Sequence, residues 1–109
     1  MFKILNGGEI QLTRGDTARI TVAVTIDEGQ PYTLQEDDKL IFTVKKEYTD
    51  ETALIEKEIT GQNLFHIKPE DTKGLNFGRY KYDVQLKTAD GDNYTVVADK
   101  VFTITNEVG

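Results

Sequence analysis

The chain contains no cysteine, no tryptophan and no serine, and its only histidine is His66. Disulfides, thiolate nucleophiles, iron–sulfur clusters and cysteine-based zinc sites are thereby excluded. So are a Ser–His–Asp triad, which needs a serine, and a zinc enzyme with two or three histidine ligands. Carboxylates, lysine, tyrosine, threonine and one imidazole are what remains for chemistry. No cofactor is expected. Positive charge is also scarce: 13 Lys and Arg stand against 19 Asp and Glu, for a net charge of −6. The densest basic pair, Lys45-Lys46, is followed at once by Glu47. A surface that displaces counterions from nucleic acid, or that lies on anionic lipid, needs clustered cations. Neither nucleic acid nor a membrane is an expected partner. No apolar run approaches the ~20 residues of a membrane helix. The opening Met1-Phe2-Lys3-Ile4-Leu5-Asn6-Gly7-Gly8 lacks the apolar stretch of about 7–15 residues of a secretory signal. Synthesis in the cytoplasm is the expectation.

What the 109 residues do contain is alternation. Ile20, Val22, Val24 and Ile26 share one parity, as do Leu40, Phe42 and Val44. Ile55 and Ile59 form a third apolar set interrupted by Lys57, and Phe65 with Ile67 a short fourth. The cleanest run is Tyr80, Tyr82, Val84 and Leu86, interleaved with Lys81, Asp83, Gln85 and Lys87. Val96 with Ala98, and Phe102 with Ile104, continue the pattern. Period two with polar residues between is the mark of half-buried antiparallel strands. Turn signals separate the runs: Asn6-Gly7-Gly8, Arg14-Gly15-Asp16, Asp27 to Pro31, Glu36-Asp37-Asp38, Gly61-Gln62-Asn63 and Asp90-Gly91. Asp90-Gly91 has the composition of a two-residue type I′ hairpin turn, which requires positive φ at both positions. One segment differs. Lys68-Pro69-Glu70-Asp71-Thr72-Lys73-Gly74 places proline first, acids next and glycine last, which predicts a single helical turn. About seven or eight strands in one domain is the expected size of an immunoglobulin-like sandwich.

Several constellations carry two readings each. Tyr80 stands where such sandwiches place a corner tyrosine that hydrogen-bonds back to the preceding corner, and Tyr82 takes the inward position two residues later. The rival reading makes the pair a platform for a carbohydrate or aromatic ligand. Arg14-Gly15-Asp16 spells the tripeptide that integrins read; it is equally a tight turn, with Gly15 supplying conformational freedom and Asp16 a stabilising carboxylate. Asn93-Tyr94-Thr95 is a glycosylation sequon beside the hairpin tip. Asp37, Asp38, Asp71, Asp90 and Asp92 are acids in turn segments, without the spacing of a calcium-binding loop. Glu70, Asp71 and Asp83 include the carboxyl pairs a glycosidase would need across a cleft. His66 has the parity of Leu64, opposite Phe65 and Ile67, which predicts a surface or interface histidine over a ligand.

Taken together, these stretches resemble the small immunoglobulin-like modules of Firmicute phages and prophages, related to the N-terminal domain of baseplate upper proteins. The stretches are Ile10 to Thr17, Tyr32-Thr33-Leu34 through Asp38 to Lys45, Phe65 to Thr72, Gly78 to Leu86, and Phe102-Thr103-Ile104 near Glu107-Val108. The resemblance implies a non-enzymatic virion component. Such a domain docks on the tail or baseplate through contacts with other tail proteins or with itself, so an oligomer is an open expectation. It also recasts Arg14-Gly15-Asp16 as a family turn. The chain stops soon after its last strand, which predicts a free-standing module.

The resulting expectation is an all-β, antiparallel immunoglobulin-like sandwich over residues 1–109 with one short helical turn. Its core is built from Ile20, Val22, Val24, Leu40, Phe42, Val44, Ile67, Tyr80, Tyr82, Val84, Leu86, Val96 and Phe102. Gly15, Asp16, Asp71, Gly78, Tyr80, Tyr82 and Gly91 are the expected structural positions. The expected function is assembly within a phage tail, with no catalytic, metal or cofactor residue. The alternative is a module for a cell-surface glycan or receptor, presenting Tyr32, Tyr48 and Tyr94.

Overall fold

The computed structural model describes residues 2–26, 29–47 and 50–106. Among them the chain forms ten strands and one helical turn, where the alternation predicts seven or eight strands; β1, β4 and β5, of two or three residues, are too short to leave an alternating run. In order these are β1 (Phe2–Ile4), β2 (Ile10–Thr13), β3 (Ala18–Thr21), β4 (Thr25–Ile26), β5 (Gln30–Pro31), β6 (Lys39–Lys45), β7 (Ile55–Thr60), β8 (Leu64–Ile67), α1 (Pro69–Lys73), β9 (Gly78–Lys87) and β10 (Asn93–Thr105). A 3-10 turn, Asn6–Gly8, links β1 to β2. The fold is all-β. No helix among the described residues is long and apolar enough to cross a membrane.

Six strands form one sheet in the order β1-β2-β10-β9-β6-β7. Four of the five pairings are antiparallel, but β2 runs parallel to β10, with Ile10 opposite Phe102 and Thr13 opposite Thr105. The sheet is therefore mixed, where the alternation predicts a wholly antiparallel one. The reason lies in the chain path. After β2 the Thr13–Asp16 turn carries the chain across to β3 in the other layer, so β2 has no hairpin return and takes the free edge of β10. Period-two patterning records which side chains are inward and carries no information on strand direction.

The second layer is narrow. β3 pairs antiparallel with β8, with Ile20 opposite Phe65, and β4 with β5 forms a separate two-residue ladder. Inward side chains of β3 and β8 meet those of the six-stranded sheet. The Phe42 ring lies 5.4 Å from Phe65, 5.2 Å from Tyr82 and 6.2 Å from Phe102, centroid to centroid. Phe42 is thus the hinge of contact between β6, β8, β9 and β10. Stacked and edge-on ring pairs at these spacings add to the burial energy.

Eleven of the thirteen expected core residues are buried, and Ile10, Leu12, Ala18, Ile55, Phe65 and Ile104 join them. Val24 and Val96 are only half-buried. Regular pairing of β3 ends at Thr21 and the chain turns into the β4–β5 ladder, which lifts Val24 out of the core. In β10, register shifts between Thr95 and Val97 and between Val97 and Lys100 put Val97, not Val96, opposite Val84. Asp99 takes φ 48° within the second irregularity. Such bulges bend a long strand and re-aim its side chains.

The Asp90-Gly91 hairpin also differs from its expected form. Only Gly91 has positive φ, at 93°. The Gly91 N–H donates to Thr88 O (3.0 Å), and Thr88 N–H to Asp92 O (2.9 Å). This is a three-residue loop with glycine in the left-handed position, not a two-residue type I′ turn.

Candidate functional site

The α1 turn is the clasp of the molecule. Pro69 opens it, and the Asp71 carboxylate accepts from the Lys68 N–H at 2.7 Å. The same carboxylate takes Lys57 Nζ at 2.8 Å. Lys57 interrupts the apolar parity of β7 because it stands opposite Phe42, on the inward side, at the sheet edge where α1 closes over it. Next to Asp71, Thr72 is fully buried, and its Oγ1 accepts from the Gly15 N–H at 2.8 Å. Gly15 has φ 85°, the left-handed region that favours glycine. The Asp16 N–H donates to Thr13 O at 3.0 Å. The Arg14 guanidinium lies 4.3 Å from the Phe77 ring centre. The Arg14-Gly15-Asp16 segment is thus bound into the α1 corner.

The corner continues into β9. Gly78, at φ 141°, opens the strand opposite Ile104. The Tyr80 phenol donates to Asn76 O at 2.7 Å, and Lys46 Nζ lies 4.8 Å from its ring centre. The Tyr82 phenol donates to Gly8 O across the molecule, and burial pushes its pKa above the ordinary value.

The opposite end holds a second polar knot. Asp38 is 2% exposed. Its Oδ2 accepts from the Tyr32 phenol (2.6 Å) and the Gln35 N–H (2.9 Å), and its Oδ1 from the Ala89 N–H (3.3 Å). Hydrogen bonding, above all from Tyr32, holds the Asp38 carboxyl below the usual value against the opposing effect of burial. The same bond pushes the Tyr32 phenol up to about 12. A charge-assisted bond at this distance is strong, and it ties the loop before β6 to the β9–β10 hairpin. Tyr32 and Tyr94 are half-buried against the core. Tyr48 lies outside the described residues. Asp38 sits in an acidic run that reads as a solvated turn, and only the short Gln35–Asp38 spacing hints at a side chain turned back on the backbone.

The outward face of the six-stranded sheet carries two like-charged cross-strand pairs. Lys39 stands opposite Lys87, and Lys45 opposite Lys81. Like charges directly across a ladder are destabilising. Lys39 and Lys87, with Asp37, Thr88, Ala89, Gly91 and Asn93, line a polar concavity of about 380 Å³. Lys81 is 3.7 Å from Asp99. Asp83, between the two lysine pairs, is raised by burial, with Lys45 acting in the other direction. Asp83 thus faces outward from β9 while Asp71 sits on α1 with Lys57. No three His, Asp or Glu side chains among the described residues converge to hold a metal. His66 is exposed.

A different surface lies where the second layer stops. The Val22 N–H donates to Asn63 O (2.9 Å), and Asn63 Nδ2 donates to Val22 O (2.8 Å). That parity turns the backbone groups of Ile20 and Val22 toward β8 and those of Arg19, Thr21 and Ala23 away from it. Among the described residues no strand pairs with β3 on that side. Beside this open edge runs a mainly apolar groove of about 330 Å³, with Ile20 to Ala23 as one wall, Ile4, Gly8 and Ile10 as the other, and Phe42, Tyr82 and Val97 beneath. Ile4 shows what is missing. Its ladder partner Ile10 is 1% exposed, yet Ile4, on the same inward parity, is 54% exposed because no second-layer strand among the described residues covers it. Alternation marks Ile20 and Val22 as inward but gives no hint that the strand beside them is absent. No protein-family model, curated protein or solved structure matches this chain.

Proposed function

We propose that the chain is an immunoglobulin-like β-sandwich that serves as a non-enzymatic structural and assembly module of a phage or prophage tail or baseplate. On this reading it is made in the bacterial cytoplasm, becomes part of the virion and works through contacts with other tail proteins or with itself. The sandwich reading draws support from the adjacency of β6, β9 and β10 in one layer and of β3 and β8 in the other. It draws further support from the Tyr80–Asn76 bond at the start of β9. The observation that carries the functional reading is the open β3 edge with its apolar groove. Unpaired edges are a liability that proteins cover or block unless they are used. Immunogold labelling of gradient-purified particles from the producing cells tests it. Labelled particles are expected; particles that assemble and carry none of the protein overturn the reading.

One observation favours a second reading, a module for a glycan or receptor. The concavity at Lys39, Lys87, Asp37 and Asn93 offers converging polar groups of the kind that hold sugars. Glycan-array binding that Asn93→Ala abolishes, with particle incorporation absent, supports that reading over assembly.

A further inference from the structure

The open β3 edge borders an apolar slot, and the geometry points to its occupant: we infer that it receives an extended arm from a partner protein, carrying alternating aliphatic side chains flanked by carboxylates. This rests on the assembly reading above and specifies how the contact is made. Arg19, Thr21 and Ala23 direct N–H and C=O groups into the slot over five residues, about 16 Å of strand. Among the described residues no group pairs with those of Thr21 or Ala23. An added strand satisfies them by main-chain bonding, and its inward side chains enter the groove over Phe42, Tyr82 and Val97 and cover Ile4.

The edges of the six-stranded sheet are less open than β3. β7 presents Glu56, Lys57 and Glu58, and β1 is three residues long. At β3 the charged neighbours are cations: Arg19 on the edge itself, and Lys100, whose side chain reaches Gly8 in the groove wall. Neither has an ion-pair partner among the described residues. Carboxylates on the arm complement them. Charge disfavours a second copy of this chain. Each copy carries −6.

The test titrates the intact ¹⁵N-labelled protein with synthetic eight-residue peptides that have Val, Ile or Leu at alternate positions and Glu at both ends. Amide shifts are expected at Arg19, Thr21, Ala23, Ile4 and Val97. Lys in place of Glu, or proline at the peptide centre, weakens binding. Thr21→Pro deletes an edge donor that is unpaired in the free protein, and raises Kd at least about tenfold. Ile4→Glu, at an exposed rim position, does the same without touching the backbone. Shifts elsewhere, no binding by any alternating peptide, or unchanged affinity in both variants overturns the inference. Particle incorporation separates the two claims. If wild type and Thr21→Pro are incorporated equally, the arm fails while assembly stands; if wild type is never incorporated, assembly itself fails.

Discussion

Replacing Phe42 by alanine removes the ring that joins both layers. Phe42 is fully buried and touches the rings of Phe65, Tyr82 and Phe102. Truncating such a side chain costs about 3–5 kcal/mol, the upper part applying where rigid neighbours cannot collapse into the space. Three aromatic neighbours on strands from two layers are such a case. A domain of this length holds roughly 5–16 kcal/mol in all. An unfolding entropy of ~2.1 cal/mol/K per residue converts the loss into a fall in Tm of about 13–22 °C. Calorimetry, with urea unfolding in parallel, measures it. A variant whose Tm falls by less than about 5 °C, with an unchanged urea slope, refutes the placement of Phe42 at the junction.

Three other outcomes follow from the polar groups. The Asp38 carboxyl is held below its ordinary value, so its contribution is full above the unfolded pKa near ~3.9 and is lost as pH falls through the folded value. Asp83, raised by burial, acts in the opposite sense. Comparing Asp38→Asn with wild type isolates Asp38: the variant is less stable by about 1–3 kcal/mol at pH 7, and the gap narrows toward pH 3. Urea titrations across that range check it. Thr72→Val leaves the Gly15 N–H without its acceptor and costs about 1–3 kcal/mol by the same measurement. Lys87→Glu replaces a like-charged pair with an opposite one and raises stability by about 0.2–1 kcal/mol, an effect that 1 M salt reduces.

Local sequence made part of this architecture legible. The alternation from Tyr80 to Leu86 specifies β9 and its inward face, and Pro69-Glu70-Asp71 specifies α1, because both signals arise within a few residues. The corner bond of Tyr80 belongs to this group, since its acceptor is four residues away. What was not legible depends on pairing over long separations. The parallel contact of β2 with β10 joins Ile10 to Phe102, and the bulges of β10 show only in its register against β9. Asp38 reads as a solvated acid until Ala89, 51 residues on, arrives beside it. Tyr32 reads as an exposed aromatic until that same carboxylate takes its proton donor. The open edge of β3 is harder still to read, because an unoccupied position beside a strand leaves no residue pattern of its own.

Hydrogen exchange along residues 18–23 of the free protein tests that open edge most directly. The structure gives alternating protection: slow exchange at Ile20 and Val22, which face β8, and fast exchange at Arg19, Thr21 and Ala23, which face the slot. Uniform protection across all five amides would show that β3 is already paired on both sides and would contradict the account.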